Sequence, residues 1–130
     1  MGAQENGELV RNGYEAFGKG DLETVAKIFS PEIRWNISGR NEISGTYNGQ
    51  EETFAFFGRL MELTDFTFSV SIHDLLASDD HVVVLVKESA TRNGKTLEAD
   101  DVHVWHLADG KAQEFWGISN DQHAVDEFWS

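Results

Sequence analysis

The chain has 130 residues, with 23 acidic against 10 basic side chains for a formal net charge of −13, and it has no cysteine. That length suits one domain built on one core, and the missing cysteines exclude disulfides, thiolate metal sites and cysteine nucleophiles. No basic stripe is present to displace counterions, which argues against nucleic acid or an anionic membrane as a partner.

The first eight residues, Met1 to Glu8, are polar and acidic and carry no apolar core of a signal peptide, and no apolar run approaches the roughly 20 residues of a membrane span. A single cytoplasmic domain over residues 1–130 is expected. In chain order, Leu9, Val10, Gly13, Tyr14 and Phe17 recur at three and four, which predicts a helix over about 4–18. Asp21 is placed to cap a second helix whose buried face is Leu22, Val25, Ala26 and Phe29, stopped at Ser30-Pro31 because a residue before proline resists helical geometry. Ile33 to Ile37 alternates and reads as a short strand. Residues 38–49, rich in Gly, Asn and Ser, read as a loop, and a third helix is predicted over about 50–63, with Phe54, Phe56, Phe57, Leu60 and Met61 on a wide apolar face.

The remainder reads as strands. Phe66, Phe68, Val70 and Ile72 alternate with polar residues, Val82 to Val86 is continuously apolar, and Arg92 to Lys95 reads as a hairpin turn. Strands follow over 96–107 and 112–119, and Asn120 or Asp121 caps a last short helix. Three helices with one short strand among them, followed by a meander of long strands, predict an α+β domain with its helices gathered on one face of an antiparallel sheet. The other sheet face then meets solvent or a second copy of the chain, and a two-fold homodimer is expected there.

Within 96–107 the two-residue period puts Asp101, His103 and Trp105 on one face. A carboxylate beside an imidazole on an aromatic platform suits general acid–base chemistry in a pocket wall, and it equally suits a half-solvated polar pair at the open end of a sheet. In the next strand, Trp116, Ile118 and Asn120 face one way and Phe115, Gly117, Ser119 and Asp121 the other; a bulge at Gly117 would exchange them, so the period alone does not choose. Trp116 and Ile118 join Trp35, Phe56, Leu60 and Trp105 as candidate ligand-binding residues, with Tyr14 closing the site from the first helix. No HExxH, EF-hand, P-loop, GxGxxG or GxSxG pattern occurs, so neither a metal nor a cofactor is expected.

The run from Leu9 to Leu22, the segment Gly45-Thr46-Tyr47-Asn48-Gly49 before a Phe-rich helix, and Val102 to Lys111 followed by Glu114-Phe115-Trp116 resemble the NTF2-like superfamily, in its SnoaL-like group that includes polyketide cyclases and ketosteroid isomerase-like proteins. The resemblance implies a cone: a strongly curved antiparallel sheet wrapped around three N-terminal helices, with a pocket at the open end and dimers formed through the sheet. It implies a small hydrophobic ligand and, in its enzymes, proton transfer by an isomerase, lyase or cyclase on an apolar carbonyl compound. His103 matches the strand histidine of the cyclases, but Gly117 stands directly after Trp116 where their aspartate belongs. For the isomerases, in which a tyrosine and a protonated acid hold an oxyanion, the resemblance puts Tyr14 on the helix of the tyrosine and Asp101 on a strand suited to the acid, while Trp35 or Asn36 stands near the place of their mobile base, with no carboxylate there. On that reading His103 is the base or shuttle, Asp101 its orienting partner and Tyr14 a donor to the enolate oxygen. The alternative is a binding domain without catalysis.

Overall fold

The computed structural model describes residues 2–130. Helix α1 (Ala3–Gly18) ends where Gly20 turns the chain at φ +71°, a backbone setting that costs glycine little. The buried Asn6 donates from Nδ2 to the carbonyls of Ser78 and Asp79 and so ties α1 to a turn more than seventy residues away. Helix α2 (Leu22–Ile28) is capped as expected: Asp21 Oδ1 accepts from the Thr24 amide at 3.1 Å. It stops one residue early, however. Phe29 already has extended backbone and opens strand β1 (Phe29–Ile37), so it belongs to the sheet and not to the helix face.

Strand β2 (Gly45–Asn48) lies inside the segment expected to be loop, paired antiparallel to β1 from Arg34–Asn48 to Ile37–Gly45. Its pairing is made by backbone groups, which a Gly/Asn-rich composition does not advertise. Helix α3 (Gly49–Leu63) follows, and then β3 (Ser69–Ala77), β4 (His81–Arg92), β5 (Lys95–Ala108), β6 (Lys111–Ser119) and α4 (Gln122–Phe128). Phe66, expected in the first of these strands, sits instead before it in a turn, at φ +61° and 73 % exposed.

The six strands form one open sheet in the order β2-β1-β6-β5-β4-β3. It is antiparallel except between β1 and β6, which run parallel, with Trp35 beside Phe115 and Ile37 beside Gly117. A parallel neighbour needs a long crossover, and α3 with the β3–β5 meander supplies it. Register shifts put an extra residue, His73, into β3 against β4 and another, Gln113, into β6 against β5, and such bulges bend the strands that carry them. The turns at Asn93-Gly94 and Asp109-Gly110 have positive φ at both positions, the geometry that matches strand twist in a tight hairpin.

Helices α1 and α3 cover the same sheet face, α1 against β3 and β4 and α3 against β1. The core lies between them: Val10, Val25 and Ile28 from the first two helices, Phe56, Phe57 and Leu60 from α3, and Val82, Val84 and Val86 from β4. On the opposite face Val83, Leu85, Val102, Val104 and Trp116 are half-buried and Ile118 is 47 % exposed. Among the described residues, no helix is long and apolar enough to cross a membrane.

Candidate functional site

A cavity of about 110 Å³ lies between the helices and the inner sheet face. Volumes near 150 Å³ admit a benzene ring, so the space is on the scale of one small ring. Its walls are largely aromatic. Trp35 stacks on Phe115 with ring centroids 3.7 Å apart and planes at 10°, and Trp105 meets Phe115 edge-on at 4.8 Å.

The predicted site residues divide by strand parity. Asp101, His103 and Trp105 do share the inner face of β5 and line the cavity, as do Tyr14, Trp35, Phe56 and Leu60. Trp116 and Ile118 do not. The register of β5 with β6 runs unbroken from Asp101–Ser119 to His106–Glu114, so Phe115, Gly117 and Ser119 face inward beside Trp105, His103 and Asp101. Trp116 and Ile118 point to the outer face. No bulge occurs at Gly117; the shift lies beyond it, at His106/Leu107. A Cβ at Gly117 would stand 3.2 Å from Phe115 Cε1 and 3.3 Å from Ile37 Cδ1, so packing leaves little room for a carboxylate there.

Sequence reasoning missed Glu88. It continues the buried stripe Val82, Val84, Val86 of β4, and its side chain is 14 % exposed. Its Oε2 lies 3.1 Å from His103 Nε2, so Glu88 orients His103, a task the sequence had suggested for Asp101. On the other side Tyr14 Oη is 2.6 Å from His103 Nδ1, and Trp105 Nε1 is 3.1 Å from the same oxygen.

The donors fix the direction of this chain. An indole N–H can only donate, so Tyr14 Oη accepts from Trp105; a carboxylate at Glu88 needs the imidazole proton on Nε2, which leaves Nδ1 of a neutral ring to accept from the Tyr14 hydroxyl. His103 is then neutral with its proton on Nε2, which donates to Glu88. Burial acts the same way, pushing the imidazole down to about 4 against a weaker opposing pull from the Asp101 charge. Burial also drives the Tyr14 hydroxyl well above its ordinary range, so it stays protonated.

Asp101 and Glu88 form the acidic end. Burial, then the nearby Glu88 charge and a hydrogen bond to Glu88, push Asp101 up to about 7, while Ser119 acts in the opposite direction. Burial raises Glu88 as well, and the bond from Asp101 partly offsets it. Two carboxyls so close do not both ionise readily, and a bond between them needs a proton. Burial raises both carboxyls, so near neutral pH the pair holds one proton between them. Two buried polar atoms of cavity-lining residues have no hydrogen-bond partner: Asp101 Oδ1 and Trp35 Nε1. Glu88, Asp101 and His103 each place one side-chain N or O atom within 4.8 Å of the others, so the three form one compact polar cluster.

Helix α4 contributes Gln122, Val125 and Trp129 beside the cavity. Asp121 caps it through Oδ1, 3.1 Å from the Ala124 amide, which is the structural role anticipated for this residue. The helix is pinned to the β1–β2 connection by Ser38 Oγ to Gln122 Oε1 at 2.7 Å and by Asn41 Nδ2 to Asp126 Oδ1 at 2.8 Å. Gly39, at φ +100°, lies under these bonds, where a Cβ would come within 2.2 Å of Gln122 Nε2 and 2.4 Å of Asp126 Oδ1. Gly39→Ala is therefore expected to cost about 1–3 kcal/mol of stability, seen as a lowered denaturation midpoint and as faster hydrogen exchange confined to α4 and 38–44. Uniform exchange across the sheet would contradict this.

The SnoaL-like domain family matches residues 10–115. The chain is similar to Bal32a from a soil-derived mobile gene cassette, 36% identical with a TM-score of 0.95 and 98% of each chain covered. It is also similar to an NTF2-like protein of unknown function from Burkholderia pseudomallei, 26% identical with a TM-score of 0.86, covering 97% of this chain and 98% of that one. An uncharacterized protein of Mycobacterium tuberculosis is 27% identical over 124 residues, 95% of each chain.

Proposed function

We propose that this chain, which belongs to the SnoaL-like domain family, is a cofactor-free enzyme that moves a proton on a small apolar carbonyl compound, in the manner of an isomerase, lyase or cyclase. One observation carries this reading. A half-buried carboxyl whose buried Oδ1 has no partner, Asp101, lines an aromatic cavity and is backed by the fixed chain Trp105–Tyr14–His103–Glu88. Proton transfer needs a group whose proton is held neither too tightly nor too loosely near neutral pH, and burial together with the adjoining Glu88 charge lifts the Asp101 carboxyl to about 7. Asp101 is the group that meets the substrate. Glu88 is its proton partner, and His103 and Tyr14 are positioning residues, because both imidazole nitrogens and the tyrosine proton are already engaged. The rings of Trp35, Trp105 and Phe115 hold the substrate's apolar body, and Trp35 Nε1 offers it a donor.

The test does not depend on the identity of the natural substrate. Small one-ring ketones such as cyclohexanone are incubated with the protein in D2O, and deuterium uptake beside the carbonyl is followed by NMR. Wild type should accelerate uptake over buffer, and Asp101→Asn should lose at least tenfold of that acceleration. Equal rates for the two proteins, with the ketone shown to bind, would leave the binding-domain reading, which the missing carboxylate at Gly117 favours.

The outer sheet face is assigned to a second copy of the chain in a cytoplasmic homodimer. Val102, Val104, Trp116 and Ile118 are apolar, lie on two adjacent strands and are covered by no helix; an isologous contact would cover each copy's patch with the other's. Ile118→Glu should shift sedimentation from dimer to monomer at micromolar concentration while leaving the circular dichroism spectrum unchanged. A wild-type monomer would end this assignment.

A further inference from the structure

The polar end of the cavity is unusual in its charge. Among the described residues, no lysine or arginine lines it. The titratable groups that face it are Tyr14 from α1, Glu88 from β4, and Asp101 and His103 from β5. His103 is buried and bonded at both nitrogens, and the Tyr14 hydroxyl already donates its hydrogen bond to Nδ1. A cationic side chain or a free phenolic proton, which ordinarily receives an oxyanion, is thus missing or occupied, and the unpartnered donor on the wall, Trp35 Nε1, brings no charge. The two carboxyls, with one proton between them, already carry one negative charge in a low-dielectric setting where a second would be strongly repelled.

Resting on the proton-transfer reading above, we propose that this cavity selects its ligand by charge: it takes a one-ring compound whose head is a neutral carbonyl or hydroxyl, refuses the corresponding carboxylate or phenolate, and carries its substrate through a neutral enol and not an enolate. The step balances within the carboxyl pair. The O–H bond of Asp101 breaks as its proton passes to the carbonyl oxygen, and the C–H bond beside the carbonyl breaks as its proton passes to the carboxylate of the pair. One proton sits on Glu88 and Asp101 before and after, and no net charge enters the cavity. A site that stabilises an enolate through tyrosine and a neutral acid would instead bind phenolates tightly, so the two mechanisms predict opposite behaviour toward the same molecule.

The probe is 4-nitrophenol, whose neutral and ionised forms absorb at different wavelengths. Near the pH at which it is half-ionised in water, adding wild-type protein should shift the spectrum toward the neutral form. Glu88→Gln, which removes the resident charge, should weaken or reverse that shift. Benzaldehyde and benzoate, followed by ligand-observed NMR, supply a pair that does not titrate in this range, and benzoate should bind at least tenfold more weakly. A gain of phenolate absorbance, or benzoate binding as well as benzaldehyde, would overturn the charge selection. If deuterium uptake on ketones persisted in that case, the proton-transfer reading would stand without it. Failure of all three probes to bind would overturn both, because the cavity would then be no ligand site.

Discussion

Asp101→Asn is expected to be more stable than the wild type at pH 8, by about 2 kcal/mol, and to lose that advantage by pH 4. The sign follows from where the proton resides. In the unfolded chain the Asp101 carboxyl ionises near 3.8; in the folded chain burial and Glu88 hold its proton to about 7. Between those values the folded state binds more protons than the unfolded one, so the contribution of Asp101 to stability falls as pH rises through that window and is fully unfavourable above it. The whole displacement would correspond to about 4 kcal/mol, which solvent around this partly exposed carboxyl reduces to about half. Asparagine reproduces the protonated acid: its amide donates to Glu88 and cannot ionise.

His103 adds a term of opposite sign. Its imidazole protonates near 6.5 when unfolded but only near 4 when folded, so its contribution rises with pH across that range. In the wild type the two slopes largely offset each other between pH 4 and 6.5. In Asp101→Asn the falling Asp101 term is gone, so between pH 4 and 6.5 stability should rise with pH more steeply than in wild type, with the raised Glu88 carboxyl opposing that rise in both proteins. Urea denaturation at pH 4, 6 and 8 reads both effects. A variant no more stable than wild type at pH 8 would mean that Asp101 is ionised there at no cost, and Asp101 could not then be the proton carrier.

The reach of the sequence can be judged residue by residue. The α1 and α3 stripes and the row Asp101, His103, Trp105 follow from periodicity, because each periodicity lies within one element and needs no partner. Glu88 escaped because Val82 to Val86 is apolar at every position, which conceals the alternation that Glu88 and Ala90 continue; a lone carboxylate in register with Val82, Val84 and Val86 was the available signal. The choice between Phe115 and Trp116 could not be made from β6 alone, since one bulge inverts every side chain of a strand. It was settled by pairing with β5. The bond between Tyr14 and His103 joins residues 89 positions apart, and only the packing of α1 across the sheet brings them together. The parallel pairing of β1 with β6 and the edge strand β2 were hidden for a related reason: both depend on backbone groups whose partners lie elsewhere in the chain.

Phe115→Ala should be the most damaging single truncation near the site, at about 3–5 kcal/mol, the range for removing a fully buried phenylalanine ring. Phe115 is 2 % exposed, lies flat on Trp35 and meets both Trp105 and His103 edge-on. Its removal forfeits area burial together with three ring contacts, and stiff neighbours on β1 and β5 cannot close the gap. Phe66→Ala, at a ring that is 73 % exposed, should change stability by less than about 0.5 kcal/mol and serves as the control. The void left at Phe115 opens onto an existing cavity, so it differs from an ordinary core defect: a small apolar ring can enter it. Saturating benzene or toluene should therefore raise the variant's denaturation midpoint more than that of wild type, by up to about 2.7 kcal/mol at a hundredfold excess over its dissociation constant. Loss of stability without such rescue would show that the neighbouring rings had collapsed into the gap, and the aromatic wall would then be too soft to position a substrate against Asp101.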